Sequence, residues 1–137
     1  MIKKSQEDYL RAMYELRERQ SDKDIGIKKA EVADMLKISK SSVTQMMKKL
    51  LKDGMIKMDL YSRIFFTKKG LVFAEQITCK HRIIEVFLRD ILGYKSLEEI
   101  NEEAHKLEHG FSDNAIKRLD NFLGNPKECP HGEVISI

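Results

Sequence analysis

Apolar residues recur at helical spacing in six runs, and one short stretch between them alternates with the period of a strand. Tyr9, Leu10, Met13 and Leu16 predict a first helix from about Gln6 to Arg19, opened by the capping signature Ser5-Gln6-Glu7-Asp8. After a polar loop from Gln20 to Gly26, Ala30, Val32, Ala33 and Leu36 mark a short helix over residues 28–36. Val43, Met46, Met47 and Leu50 mark another, which starts after Ser39 as N-cap and stops at Gly54. Two helices joined by so few polar residues are a helix-turn-helix. Met55 to Met58 and Ile64 to Thr67 then flank the turn-forming segment Asp59–Arg63 as two strands of a hairpin. A hairpin placed directly after a helix-turn-helix makes a winged helix.

The rest of the pattern is helical. Phe73, Ile77, Ile84, Leu88 and Ile91 define the buried stripe of a long helix over residues 69–92, with His81 on the stripe and Glu85 one turn further along its edge. Ser96 and Glu99 form a capping box for a helix that runs to Phe111, with Ile100, Ala104, Leu107 and Phe111 as its apolar stripe. Ser112 caps a last helix whose Ala115, Ile116, Leu119 and Phe122 have little left to pack on, which suits a dimer contact. Residues 124–137, with Pro126 and Pro130, form an extended tail. The expected fold class is mainly α: an N-terminal winged helix-turn-helix domain over residues 1–70, followed by an α-helical dimerisation and metal-binding domain over residues 71–137.

Charge sharpens this division. Residues 1–70 carry 17 Lys and Arg against 10 Asp and Glu, whereas residues 71–137 carry 8 against 12. A basic first half calls for a polyanion and an acidic second half for cations or another role. On the second helix of the helix-turn-helix, Lys40, Ser41, Ser42, Thr44, Gln45 and Lys48 offer side chains that bond phosphates and base edges, Gln45 being suited to adenine. Arg63, at the hairpin tip, is placed to meet phosphate. The competing explanation is a small helical bundle with a lysine-rich surface.

With 137 residues, 42% hydrophobic and 34% charged, the chain is globular and has room for little beyond these two parts. No apolar run spans a bilayer, Met1-Ile2-Lys3-Lys4 leads into a polar helix rather than a signal peptide, and Cys79 and Cys129 form no paired motif. These features predict a cytoplasmic protein.

The candidate chemistry gathers on the segment His105-Lys106-Leu107-Glu108-His109. On a helix the two imidazoles stand one turn apart with the carboxylate beside them, three donors of the type divalent transition metals take. His81 and Glu85, at i and i+4, can share one metal; Cys129 and His131 form a weaker pair for which a turn is the simpler explanation. A solvated acidic face with two ordinary surface histidines explains the same letters. So does an inverted zinc-protease motif, in which Glu108 is a general base, although 137 residues leave no room for the enclosing fold such an enzyme needs. The chain is expected not to be an enzyme.

The ordered motifs EDYLRAMYEL, SVTQMMKKLLKDG, KHRIIEVFL, EEAHKLEHGFSDNAIKRL and NPKECPHG together resemble the diphtheria-toxin-repressor family of metal-dependent transcriptional regulators. The resemblance covers nearly the whole chain. It implies a homodimer whose winged helix reads a palindromic operator in double-stranded DNA, usually as a repressor, once a divalent metal is bound. It is nearest to the compact two-domain type without an SH3-like domain. By position it implies metal ligands at Asp8, His81, Glu85, His105, Glu108 and His109, a phosphate contact at Ser39 and a base contact at Gln45. Asp8 matches the manganese-responsive type. Arg11 stands where that type has a second carboxylate and cannot ligate, and His105, where relatives have cysteine or glutamate, moves preference toward Fe²⁺, Co²⁺ or Zn²⁺ and away from Mn²⁺; Mn²⁺ or Fe²⁺ is expected first, with Zn²⁺ and Co²⁺ as alternatives. A metal-independent winged-helix regulator is the remaining alternative.

Overall fold

Four helices open on a serine hydroxyl that accepts the amide of the residue three positions on: Ser5, Ser39, Ser96 and Ser112. The computed structural model describes residues 5–135, so the expectation at Met1–Lys4 lies outside the described residues. Six helices and one hairpin follow in the order α1 Gln6–Arg19, α2 Lys29–Leu36, α3 Lys40–Lys52, β1 Ile56–Met58, β2 Ile64–Phe66, α4 Lys68–Asp90, α5 Leu97–Leu107 and α6 Asp113–Phe122. No helix among the described residues is long and apolar enough to cross a membrane. The chain divides into two compact units within α4, residues 1–75 and 76–137.

In the first unit, α1 contacts α2, α2 contacts α3, and α3 leads into β1. Leu10, Met13, Val32, Val43, Met47 and Leu50 are all but completely buried, as the helical spacing requires. Between α2 and α3 the chain turns at Lys37, whose φ of 56° is left-handed, and Ile38 donates its amide to Ala33. That is the C-cap that ends a helix without glycine, at the cost of a side chain in a disfavoured backbone region. β1 and β2 pair antiparallel with Lys57 opposite Phe65, and Ile64 adds a bridge to Ile27, just past the polar loop. Gly70 is required at the start of α4, because a Cβ there would lie 1.8 Å from the Met55 carbonyl oxygen.

The second unit has its own core of Ile83, Ile84, Val86, Leu88, Ile100, Ala104, Ile116, Cys129 and Ile135. Two expectations need correction here. Phe73 and Ile91 are exposed, at 38% and 49%, and are not part of a buried stripe. Instead every residue from His81 to Glu85, and Val86 with them, is buried, so this stretch of α4 is enclosed on all sides and has no single apolar face. The helix of the histidine motif ends at Leu107, and Glu108–Gly110 form one 3-10 turn before Phe111 becomes extended and Ser112 caps α6. Gly110 and that next cap leave no room for a further α-turn. The tail is not a loose extension: Glu128 bridges Val134, and the Gly132 amide donates to the Cys129 carbonyl at 2.9 Å, closing a tight turn.

Candidate metal centre and nucleic-acid interface

On α3 the apolar residues face the core and leave a polar stripe outward. Ser39, Lys40, Ser41, Ser42, Gln45 and Lys48 are exposed, as a base- and phosphate-reading surface requires. Ser39 Oγ accepts the Ser42 amide at 3.2 Å and bonds the Ser42 hydroxyl at 2.9 Å, so the serines that cap the helix also order one another. Thr44 is half-buried and receives Lys29 Nζ at 3.5 Å. Arg63 is not the hairpin tip. The tip is Leu60 and Tyr61, 99% and 85% exposed, while Arg63 is half-buried and donates its amide to Asp59 Oδ1. One carboxylate oxygen there takes both the Tyr61 and Arg63 amides, which pulls the chain back before Arg63.

Asp8 closes the capping box of α1. Its Oδ2 accepts the Ser5 amide at 2.8 Å, and its Oδ1 lies 3.6 Å from the Arg11 guanidinium. The side chain is buried, so the carboxylate is compensated by a cap and a cation rather than by water.

In the second unit several polar residues are inside, His81, Arg82, Glu85 and Glu108 among them. Glu108 is buried at the foot of α5, with Oε2 2.9 Å from His81 Nδ1 and Oε1 3.5 Å from His105 Nδ1. Ending the α-helix at Leu107 is what turns Glu108 inward and leaves the His109 side chain half exposed, with Nε2 4.0 Å from Glu108 Oε1. The His105 and His109 rings meet edge to face, centroids 5.9 Å apart. Ring nitrogens of this kind are donors that can take a cation together with Glu108 Oε1.

A second cluster was scarcely visible in the sequence. Glu85 on α4 meets the tail: a carboxylate oxygen of Glu85, the thiol of Cys129 and a ring nitrogen of His131 all lie within 4.8 Å of one another. The tail is held there by buried Arg82, which donates to the Val134 carbonyl at 2.8 Å. Burial pushes the Cys129 thiol above its ordinary value, against which the amides of Glu133 and His131 bonded to sulfur act. Glu85 Oε2 is buried and accepts no hydrogen bond of good geometry among the described residues, although His131 Nδ1 is 3.1 Å and His81 Nε2 3.6 Å away. An orphaned carboxylate oxygen between a thiol and two imidazoles is a donor set for a transition-metal ion, and the fit is good. The short Cys129-Pro130-His131 spacing was the signal, and its distance from Glu85 in sequence hid the third member.

Residues 1–64 match the model of the iron-dependent repressor N-terminal DNA-binding domain, and residues 67–136 that of the iron-dependent repressor metal-binding and dimerisation domain. The chain belongs to the iron-dependent repressor family. Within that family of metal-dependent regulators it is 38% identical, over 93% of its own length and 98% of the other's, to an uncharacterised helix-turn-helix transcriptional regulator of Methanocaldococcus jannaschii. It is 32% identical to the iron-dependent repressor IdeR of Mycobacterium tuberculosis, covering 94% of this chain and 54% of that one. The structure of the manganese regulator SloR superposes with a TM-score of 0.85 at 42% identity, covering 99% of this chain and 61% of that one. The chain thus spans little more than half the length of IdeR and SloR.

Proposed function

We propose that this iron-dependent repressor family member is a metal-gated transcriptional repressor of metal-homeostasis genes, binding a palindromic operator as a homodimer when loaded with Mn²⁺ or Fe²⁺. The observation that carries the metal half of the reading is the inward turn of Glu108 between His81 and His105. A buried carboxylate facing two imidazoles is expensive unless a proton or a metal compensates it. His105, Glu108 and His109 are the proposed ligands of one locus, with Asp8 and His81 carried over from the family resemblance. Glu85, Cys129 and His131 are proposed for the other. A bound ion supplies fixed positive charge that neutralises these carboxylates and holds their imidazoles in one orientation. The thiol and the histidines make Zn²⁺ and Co²⁺ competent occupants as well.

The outward stripe of α3 supports the DNA half. Gln45 is proposed to read a base in the major groove, with Ser39, Lys40, Ser41, Ser42, Thr44, Lys48 and Arg63 contacting the backbone. Metal changes operator affinity only by binding the DNA-competent state more tightly than the alternatives. Selection of duplexes from a random pool, run with chelator, Mn²⁺, anaerobic Fe²⁺ and Zn²⁺ in parallel, tests the reading. A palindrome enriched only with metal is the expected result; equal enrichment with chelator would leave a metal-independent DNA binder.

A further inference from the structure

The first unit holds a cleft that neither the metal reading nor the DNA reading uses. It has a volume of about 170 Å³ and lies among the end of α1, the loop that follows it, β2 and the start of α4. Its apolar lining is Ile27 and Ile64, both buried, with Phe65, Phe66 and Leu71 half-buried. Ile27 and Ile64 exchange both backbone hydrogen bonds, at 2.9 and 2.8 Å, so this wall is fixed by the main chain as well as by packing. Gly26, with a φ of 85°, completes it. A Cβ there would come within 2.7 Å of Phe65 Cζ, so the ring lies against bare backbone.

The polar lining stands out in one atom. Gln20 donates through Nε2 to the Gly26 carbonyl at 2.6 Å. A carbonyl accepts only from the NH₂ group, so that bond determines which way the amide points. Its oxygen, Oε1, is buried and accepts no hydrogen bond among the described residues. A buried acceptor in that state costs stability until a donor reaches it. The charges nearby cancel or are already engaged. Lys23 Nζ donates to the carbonyls of Arg17, Glu18 and Gln20 at 2.6, 2.9 and 2.8 Å and so offsets the negative end of α1. Arg17 and Asp24 line the cleft with opposite signs.

We infer that this cleft binds a small neutral molecule built on one aromatic ring and bearing one O–H or N–H donor, with Gln20 Oε1 as the acceptor that orients it. A cavity of about 150 Å³ is enough for benzene, so the volume admits a single ring with one substituent. The two phenylalanines and three aliphatic side chains suit the ring, and the balanced charges give no advantage to an ion. Water in the same place would satisfy Gln20 but would leave the apolar walls wet. Because β2 is a strand of the wing, an occupant ties the wing to the end of α1. The DNA-binding unit thereby has a ligand of its own that does not depend on metal.

Phenol is the probe, and toluene, which has the ring without the donor, is its control. Both are titrated into the full chain under chelation and followed by amide shifts in ¹H–¹⁵N spectra. Phenol is expected to give saturable shifts at Gly26, Ile27, Ile64 and the Gln20 side-chain amide. Its Kd should be about 1 mM, ordinary for a ligand of about seven heavy atoms. The decisive quantity is the ratio of phenol to toluene affinity, which cancels the greater apolarity of toluene. Gln20→Met keeps the length of the side chain but removes the acceptor, and should lower that ratio about fivefold, as the loss of one neutral hydrogen bond does. Leu71→Phe narrows the cleft while leaving Gln20 and its bond to Gly26 in place. It should lower both affinities about tenfold, and it covers the case in which Gln20→Met does not fold. Absence of saturable phenol shifts at these amides below about 20 mM would mean that water alone fills the cleft, and would overturn the inference. So would an unchanged ratio in Gln20→Met, or unchanged phenol binding in Leu71→Phe.

Discussion

On α3 the residues proposed to meet DNA stand outside a conventional apolar core, whereas in the second unit a group of charged and imidazole side chains is itself part of the interior. Lys40, Ser41, Ser42, Gln45 and Lys48 are exposed, and Val43, Met46, Met47 and Leu50 bury the other face. His81, Arg82, Glu85 and Glu108 are each 5% exposed or less and share their surroundings with Ile83, Ile84 and Ala104. Changes to the first region should therefore alter binding and leave stability alone. Changes to the second should alter both, because an interior charge that loses its partner is left without water.

The largest effect that would break this contrast concerns Glu108. Glu108→Ala removes the acceptor shared by His81 and His105 and is expected to cost the metal-free protein about 3 kcal/mol in a denaturant titration. A cost near zero would mean that the interior cluster is not integral to the fold. Next in size, Gln45→Ala should lower discrimination at one base of the selected site by about 1–3 kcal/mol while leaving metal stoichiometry and melting temperature untouched. An unchanged sequence profile would reject its readout role. Lys48→Ala should change stability by less than about 0.5 kcal/mol. It should also reduce the slope of log affinity against log salt by about one, if that lysine meets a phosphate.

Alkaline pH sharpens the contrast further. Burial raises the Cys129 thiol, and burial followed by the Asp8 charge raises the Tyr9 hydroxyl. For an acid whose folded value is raised, the associated stability is complete below the unfolded value and is lost as the pH climbs through the folded one. The metal-free melting temperature should thus fall as the pH rises above the ordinary thiol range, and Cys129→Ser should remove the earlier part of that fall.

How far the sequence revealed each region follows from the same contrast. The helix-turn-helix and wing were legible because their signals are local: the serine caps, the spacing of Val43, Met46, Met47 and Leu50, and the turn at Asp59–Arg63. The bridge from Ile27 to Ile64 was not, since it joins residues far apart in sequence. In the second unit the periodicity misled. Extending the α5 helix through Phe111 placed Glu108 and His109 at α-helical angles, but a 3-10 turn carries them and buries one while exposing the other. The stripe on α4 failed at Phe73 and Ile91, which stand exposed near the two ends of the helix, outside the enclosed stretch from His81 to Val86. Asn101 carried no sequence signal of its own. Its Oδ1 meets His81 Nε2 at 3.0 Å across a long stretch of sequence.

The central claim is that metal in the second unit governs DNA binding by the first. Its most direct test is fluorescence anisotropy of a duplex chosen by selection, titrated at fixed free Mn²⁺ and under chelation, with the unmodified protein and with Glu108→Gln, His109→Ala combined. The unmodified protein should gain roughly a hundredfold in affinity when metal is added, equivalent to about 3 kcal/mol. The double variant, still folded, should bind with the weak affinity of the chelated protein at every metal concentration. The same hundredfold gain in the double variant would contradict the claim.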